Sequence, residues 1–324
     1  MKEVALFSCN WPAQSGPATY TAELYRGLKL AGYTPVIYRV RDHDEQKFRA
    51  YGHYRDVTYK IVSPASAFGI IKRMPSLLVS SCNPKDFNKE VLREMLKRGM
   101  RVVIHDPREE ENFAYGVPER PIIIRPAVKK HFKDAVFIPH PYTPRNVQNE
   151  GKHIATSTAR TTFIKRTTMI LEANRVLKRA RLGTVQIMGA ENRMYVHHVL
   201  RVKFPEYKSP PFQWFDKGAE VAALGRFNVD FTGVKADGGG TQYTTLEAWD
   251  AGSIPIIHED WMRFKGEMEP GKNCYAVDGA KGLAELLQHG EKKYNAAMVK
   301  RGREGLTIHD SRTIARRTMK EVTR

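Results

Sequence analysis

Short apolar runs separated by longer amphipathic or polar stretches recur along the whole chain, the alternation expected of parallel strands whose crossovers are helices. Residues 4–8 read as a buried strand, the loop CNWPAQSGP follows, and an amphipathic helix spans about 18–31 before Gly32 stops it. Residues 35–40 are the next expected strand, with further apolar runs at 77–81, 101–106, 122–124 and 135–139. The segment PHPYTPRNVQNEG, at 139–151, breaks the pattern with prolines and polar side chains and reads as a linker. Beyond it a strand starts at His153, a long basic helix and the strand TVQIMG follow, and later strands are expected at 229–233, 254–257 and 274–277. Residues 307–324 read as a final helix. The fold class is therefore α/β, with two Rossmann-like domains at 1–145 and 146–306 and a helical tail at 307–324.

One stretch carries most of the chemistry. In KADGGGTQYTTLEAWDAGSIPIIHEDW, at 235–261, a glycine run, an amphipathic helix and a buried strand follow without a break. Gly238, Gly239 and Gly240 allow close backbone approach to a ligand, and Thr241 is the expected cap of a helix reaching about Ala251 and ended by Gly252. First-turn N–H groups there would face a phosphate. Glu247 lies one turn beyond Thr244 on the same face, where a carboxylate can accept hydrogen bonds from a sugar diol.

A second segment, IATSTARTTFIKRTTMILEANRVLKRA, runs strand, polar loop, helix, with Arg160 and Lys165 on the loop or at the helix entrance. A planar guanidinium fork and a point charge together suit a diphosphate.

These residues resemble the donor-binding domain of retaining GT-B glycosyltransferases, and most specifically the DNA α-glucosyltransferase family of T-even bacteriophages. In that family the loop reads R-T-T-x-x-K, here Arg160 to Lys165, and the helix reads Y-T-x-L-E before G-x-I-P, here Tyr243 to Glu247 and Gly252 to Pro255. The strand ending in VQIMGAE supplies the glycine turn at Gly189, and SGPATYTAELYRGLKLAGYTPVIY is similar to the family's first loop and helix. The resemblance implies a GT-B fold, two Rossmann-like domains with a cleft between them, and a tail helix returning to the N-terminal domain. It implies a UDP-sugar donor held by Gly16, Arg160, Lys165, Arg166, Gly189, Gly240, Tyr243, Thr244 and Glu247, with no permanently bound cofactor and no required metal. Two positions depart from the family. Gly239 stands where many members carry a second glutamate eight positions before Glu247, and Arg166 stands where glycine commonly follows the lysine, so Lys165 and Arg166 are both candidate phosphate ligands.

On the acceptor side, the first loop places Gly16 near the donor, and the strand RVVIHD ends in His105 and Asp106. The resemblance implies that Asp106 orients or deprotonates the acceptor hydroxyl, with His105 beside it; Asp106 capping the turn at Pro107 is the plainer alternative. Arg160 and Lys165 would stabilise the leaving diphosphate without metal.

Charge extends the picture. With 324 residues and a formal net charge of +18, the chain is suited to a polyanionic partner such as DNA, RNA or an acidic membrane surface. Basic and aromatic side chains interleave after the second strand at Arg39, Arg41, Lys47, Arg49, Tyr51, Tyr54 and Arg55, and Lys129, Lys130 and Lys133 form a second basic patch. The pattern DHD at 42–44 is crowded by cations and does not read as a metal site. Three widely spaced cysteines support neither a disulfide framework nor a zinc site, and no apolar stretch is long enough to span a bilayer.

The expectation is a monomeric enzyme of the infected bacterial cytoplasm that moves glucose, arabinose or another sugar onto 5-hydroxymethylcytosine in double-stranded DNA, with retention and with the target nucleotide flipped out. The alternatives are a GT-B enzyme acting on a bacterial envelope lipid or polysaccharide, and a DNA-binding protein that kept the fold without activity.

Overall fold

In a computed structural model of the protein, the described residues are 2–8, 11, 16–40, 56–80, 89–105, 120–189, 198, 217–233, 240–263 and 266–324. They divide into one compact unit of Met1–Thr143 with Ile308–Arg324 and a second of Pro144–Thr307.

The first unit is built on β1 (Lys2–Ser8), β2 (Tyr33–Val40), β3 (Tyr59–Val62), β4 (Ser76–Ser80), β5 (Arg101–Ile104), β6 (Ile122–Ile123) and β7 (Val136–Phe137). All pair in parallel, in the order β3-β2-β1-β4-β5-β6-β7. The chain runs outward from β1 to β3 and then restarts at β4 on the other side, so the order reverses between β1 and β4. Val4, Ala5, Leu6 and Phe7 are all fully buried, as a central parallel strand covered on both faces requires. Helix α1 (Gly16–Leu30) starts two residues earlier than its apolar pattern implied, placing Gly16 in its first turn. Helices α2 (Pro64–Arg73) and α3 (Lys89–Lys97) cover Phe7, Leu78 and Ile104. Ser63 caps α2 by accepting from the Ser66 N–H at 3.2 Å, with Pro64 opening the helix.

The C-terminal helix, Ser311–Val322, packs on α1 in this unit. Their contact is close at Gly27, where a Cβ would stand 2.1 Å from the Ser311 carbonyl oxygen. Asp310 caps the helix by accepting from the Thr313 N–H at 2.8 Å, and Tyr142 donates its N–H to the His309 carbonyl at 2.7 Å.

The second unit has a parallel sheet in the order β12-β11-β10-β8-β9, from β8 (His153–Ser157), β9 (Val185–Ile187), β10 (Gly225–Asp230), β11 (Ile254–His258) and β12 (Tyr275–Val277). Here the order reverses between β8 and β10. Helix α4 (Thr167–Arg179) packs Ile170, Ala173 and Leu177 against Phe227 and Val229. Trp249 is almost fully buried and donates to the Asn273 carbonyl at 3.0 Å. It stands so close to Gly302 that a Cβ there would lie 2.4 Å from its ring.

Two expectations need correction. The strand expected at 229–233 is Gly225–Asp230. Its start is hidden in sequence because Asn228 is polar yet buried, its amide donating to Thr158 at 3.1 Å, and because Gly225 packs on the Thr156 backbone. Thr241 does not cap the following helix, which is Tyr243–Asp250 with Gln242 at its N-cap; the Thr241 hydroxyl bonds Glu267 instead. The segment expected as the linker contains the division between the two units and is pinned: Thr143 donates its N–H to Glu23, and Arg145 and Asn146 donate theirs to Asp250 at 2.6 and 3.1 Å.

Candidate functional site

The carboxyl ends of β8 and β10 flank the reversal of strand order in the second unit, where open α/β sheets bind ligands. The loop leaving β8 carries Arg160, turns through a single 3-10 turn at Phe163–Lys165, and enters α4 at Arg166. Arg166 takes the left-handed conformation, φ 48° and ψ 40°, which explains physically why a glycine suits this position. Its guanidinium reaches Asp260, after β11, at 2.7 Å. The Gly233 N–H donates to the Ile164 carbonyl at 2.6 Å and fixes the loops after β8 and β10 to each other.

Lys165 lies at the centre. Its ammonium donates to both Asp230 oxygens at 3.2 and 3.4 Å, to Gln242 at 2.9 Å and to the Thr232 hydroxyl. Asp230 also accepts from the Thr232 N–H at 2.9 Å, the Thr232 hydroxyl and the Thr244 hydroxyl at 2.6 Å. Burial works to raise the Asp230 pKa, but the Lys165 charge and these hydrogen bonds outweigh it, and the carboxyl sits below its ordinary value. Arg160, by contrast, has no hydrogen-bond or ionic partner among the described residues. It is solvent-exposed, though protein surrounds it closely enough to lower its pKa, a shift that leaves an arginine charged.

The Tyr243–Asp250 helix starts without a side-chain cap because Gln242 turns its carbonyl to Lys165. The Thr245 and Leu246 N–H groups both turn back to the Gln242 carbonyl at 3.0 Å, so of the first turn it is the Thr244 N–H that is left for a ligand. Gly240 is buried and its carbonyl accepts from the Trp261 indole at 2.9 Å, so the end of the glycine loop is anchored. Gly238 and Gly239 lie outside the described residues. Thr244 spends its hydroxyl on Asp230, whereas the Glu247 carboxylate rests on Gly218, where a Cβ would come within 2.1 Å of it. Gly189 is buried where a Cβ would strike the Ala159 carbonyl at 1.8 Å, so its place is one of tight packing under the Arg160 loop. Among the described residues no group of three His, Cys, Asp or Glu side chains is placed to hold a metal ion.

In the first unit, Gly16 and His105 meet at the carboxyl ends of β1 and β5: a Cβ on Gly16 would lie 2.8 Å from the imidazole. The His105 ring meets His140 edge-on at 5.7 Å. Burial, then His105, Arg125 and His309, hold the His140 pKa well below its ordinary value. Asp106 lies outside the described residues, as do Arg41, Lys47, Arg49, Tyr51, Tyr54 and Arg55. Of the expected DNA-contacting residues, Arg39 is half-buried on β2, and Lys129 and Lys130 are exposed on a 3-10 turn, Pro126–Lys130.

Comparison with solved structures bears directly on this arrangement. Over the full length of both chains, HepE of Anabaena in complex with UDP and glucose superposes with a TM-score of 0.74 at 10% identity. An α-glucosyltransferase in complex with UDP and a 13-mer DNA containing an HMU base matches over 99% of each chain, with a TM-score of 0.72 and 12% identity. AviGT4, a glycosyltransferase involved in avilamycin A biosynthesis, matches all of this chain and 98% of its own at 0.66 and 13%. The chain has the GT-B fold. At these identities GT-B describes architecture, and the neighbours' ligands describe the neighbours. No family model matches, and no curated protein matches in sequence.

Sequence reasoning missed Asp230, Gln242 and Asp260. The first lay inside an expected strand; the only available signal was an acid at the end of an apolar run, facing a basic loop.

Proposed function

We propose that the protein is a GT-B glycosyltransferase that moves a sugar, glucose by first choice, from a UDP-sugar onto 5-hydroxymethylcytosine in double-stranded DNA, with retention of configuration, in the cytoplasm of an infected bacterium. The observation that carries the donor half is the convergence of Arg160, Lys165 and an uncapped helix start on the carboxyl ends of β8 and β10. The acceptor half rests on the net charge of +18 and on the full-length fold match to an α-glucosyltransferase bound to UDP and DNA.

In this reading the bond from the anomeric carbon to the diphosphate oxygen breaks while a bond to the acceptor oxygen forms on the same face. The negative charge growing on the diphosphate is met by Arg160, Lys165 and the Thr244 N–H at the helix start. The departing phosphate takes the acceptor proton, and Asp106 with His105 holds the hydroxyl on that same face, beside the leaving oxygen. Glu247 holds the donor sugar diol.

The test is incubation of the purified protein with a panel of UDP-sugars and duplexes containing hydroxymethylcytosine or plain cytosine, followed by mass spectrometry of the nucleosides. A hexose or pentose increment confined to the modified duplex is expected. No increment with any donor overturns the DNA acceptor, and an increment on envelope lipid or polysaccharide in a parallel assay replaces it.

A further inference from the structure

The C-terminal helix has two faces of different character. Ile314, Ala315, Thr318 and Met319 are buried, whereas Arg312, Thr313, Arg316, Arg317 and Lys320 are exposed. Arg312, Arg316 and Lys320 recur every four positions, so they form a row along the helix with about 6 Å of rise between neighbours. None of the three has a hydrogen-bond or ionic partner among the described residues. The acidic residues of the helix do not neutralise the row: Asp310 is spent as the cap, and Glu321 pairs with Arg120 and Arg324. Arg317 extends the charge sideways, donating to the Phe137 carbonyl at 3.2 Å.

The row starts at the carboxyl end of the first sheet. His309, two residues before the helix, bonds the His140 carbonyl at 2.8 Å, and Tyr142 bridges Asp310 beyond β7. Lys129 and Lys130 follow β6 at that same end. The helix therefore carries uncompensated charge away from the end of the sheet where Gly16 and His105 meet.

We infer that the Arg312, Arg316 and Lys320 face of the C-terminal helix is a landing surface for the phosphate backbone of duplex DNA. The inference rests on the DNA acceptor proposed above and extends it to a surface away from the reacting groups. An anionic membrane offers the same charge, but a helix lying in a bilayer interface needs apolar side chains among its cations. Here every large apolar residue of Ser311–Met319 points into the fold, which favours a partner met wholly in water. About 12 Å of helix separates Arg312 from Lys320, a length over which a duplex carries roughly seven phosphate charges, so three contacts are sterically easy. Such contacts position DNA without reading its sequence.

The decisive variant is the triple substitution Arg312→Ala, Arg316→Ala, Lys320→Ala in the full chain. Its affinity for a 20-base-pair duplex is measured between 50 and 300 mM salt alongside UDP-sugar hydrolysis and thermal melting. The expected result is a log-affinity against log-salt slope shallower by about 2 to 3, on the order of 0.9 per lost phosphate contact, equally for modified and plain duplexes. Hydrolysis and melting temperature stay as in wild type. An unchanged slope with wild-type DNA affinity overturns the inference, as does wild-type binding to phosphatidylserine vesicles, but not to DNA, that the substitutions abolish. A wild type that hydrolyses and transfers no sugar overturns the enzymatic proposal alone, because the slope comparison still decides the surface.

Discussion

The Lys165 ammonium lies 3.2 and 3.4 Å from the two carboxylate oxygens of Asp230, which stands at the end of β10, the strand beside the one that launches the lysine's loop. If Lys165 meets the donor diphosphate as proposed, the ligand must draw it away from this internal anion. Taking Lys165 off Asp230 would leave the carboxylate with Thr232 and Thr244, so the exchange does not strand a bare charge.

Replacing Asp230 by Asn should therefore destabilise the fold by about 2 to 3 kcal/mol at neutral pH, since both partners are largely buried. The pH dependence has a definite sign. The folded carboxyl holds its proton less readily than the unfolded one, whose reference value is 3.8, so the stabilisation is complete above that value and disappears as pH falls through the folded pKa. Melting curves from pH 7 to pH 2.5 should show the gap between wild type and Asp230→Asn closing only at the acid end. A constant gap would remove the ion pair as its cause.

Lys165 and Arg166 separate cleanly by substitution. Arg166→Gly relieves a left-handed residue by about 1 kcal/mol and loses a partly exposed pair with Asp260 worth about as much, so its melting temperature should stay within a few degrees of wild type. Transfer should fall less than about tenfold. Lys165→Ala and Arg160→Ala should each cost about 100-fold or more in kcat, with DNA affinity kept. The opposite ranking of Arg166 and Lys165 in steady-state kinetics would make Arg166 the phosphate ligand.

Gly218 offers a way to move Glu247 without mutating it. The nearest atoms to an added methyl are those of the Glu247 carboxylate, at the end of a long side chain, so Gly218→Ala should alter stability by less than about 1 kcal/mol while raising the donor KM roughly tenfold. A donor KM equal to wild type, with full folding verified by melting, would dismiss Glu247 as a sugar ligand.

His140 should mark the acid limit of the first unit. Its folded pKa is depressed below the unfolded 6.5, so below pH 6.5 the unfolded chain takes up a proton that the folded one refuses, and stability declines by up to about 1.4 kcal/mol per pH unit. His140→Phe keeps a ring against Tyr20 and His105 and removes the titration. Its melting temperature should fall less than that of wild type between pH 6.5 and 5; parallel curves would assign the decline to other groups.

How much of this was visible in the chain depends on what kind of signal each residue leaves. The runs VALF and IPII announce central strands because burial on both faces admits almost nothing polar, and the R-T-T-x-x-K loop is written in adjacent residues. Asn228 blurred β10 because a buried hydrogen bond to Thr158, invisible in sequence, makes a polar residue acceptable there. The Lys165–Asp230 pair joins positions 65 residues apart, and Thr241 follows Glu267 rather than its own helix. Local patterns specify elements; long-range polar partners are set only once the sheet has brought strand ends together.

The C-terminal helix belongs to a unit whose other residues were made first. Tyr142 donates its N–H to the His309 carbonyl and accepts from the Ser311 N–H, joining positions that the sequence of the second unit separates, and Gly27 on α1 is shaped to receive Ser311. During synthesis the second unit can close as soon as its own residues emerge, while α1 stays without its covering helix until residues 311–322 have followed. A chain cut short before Ser311 would thus lose the closing piece of its beginning.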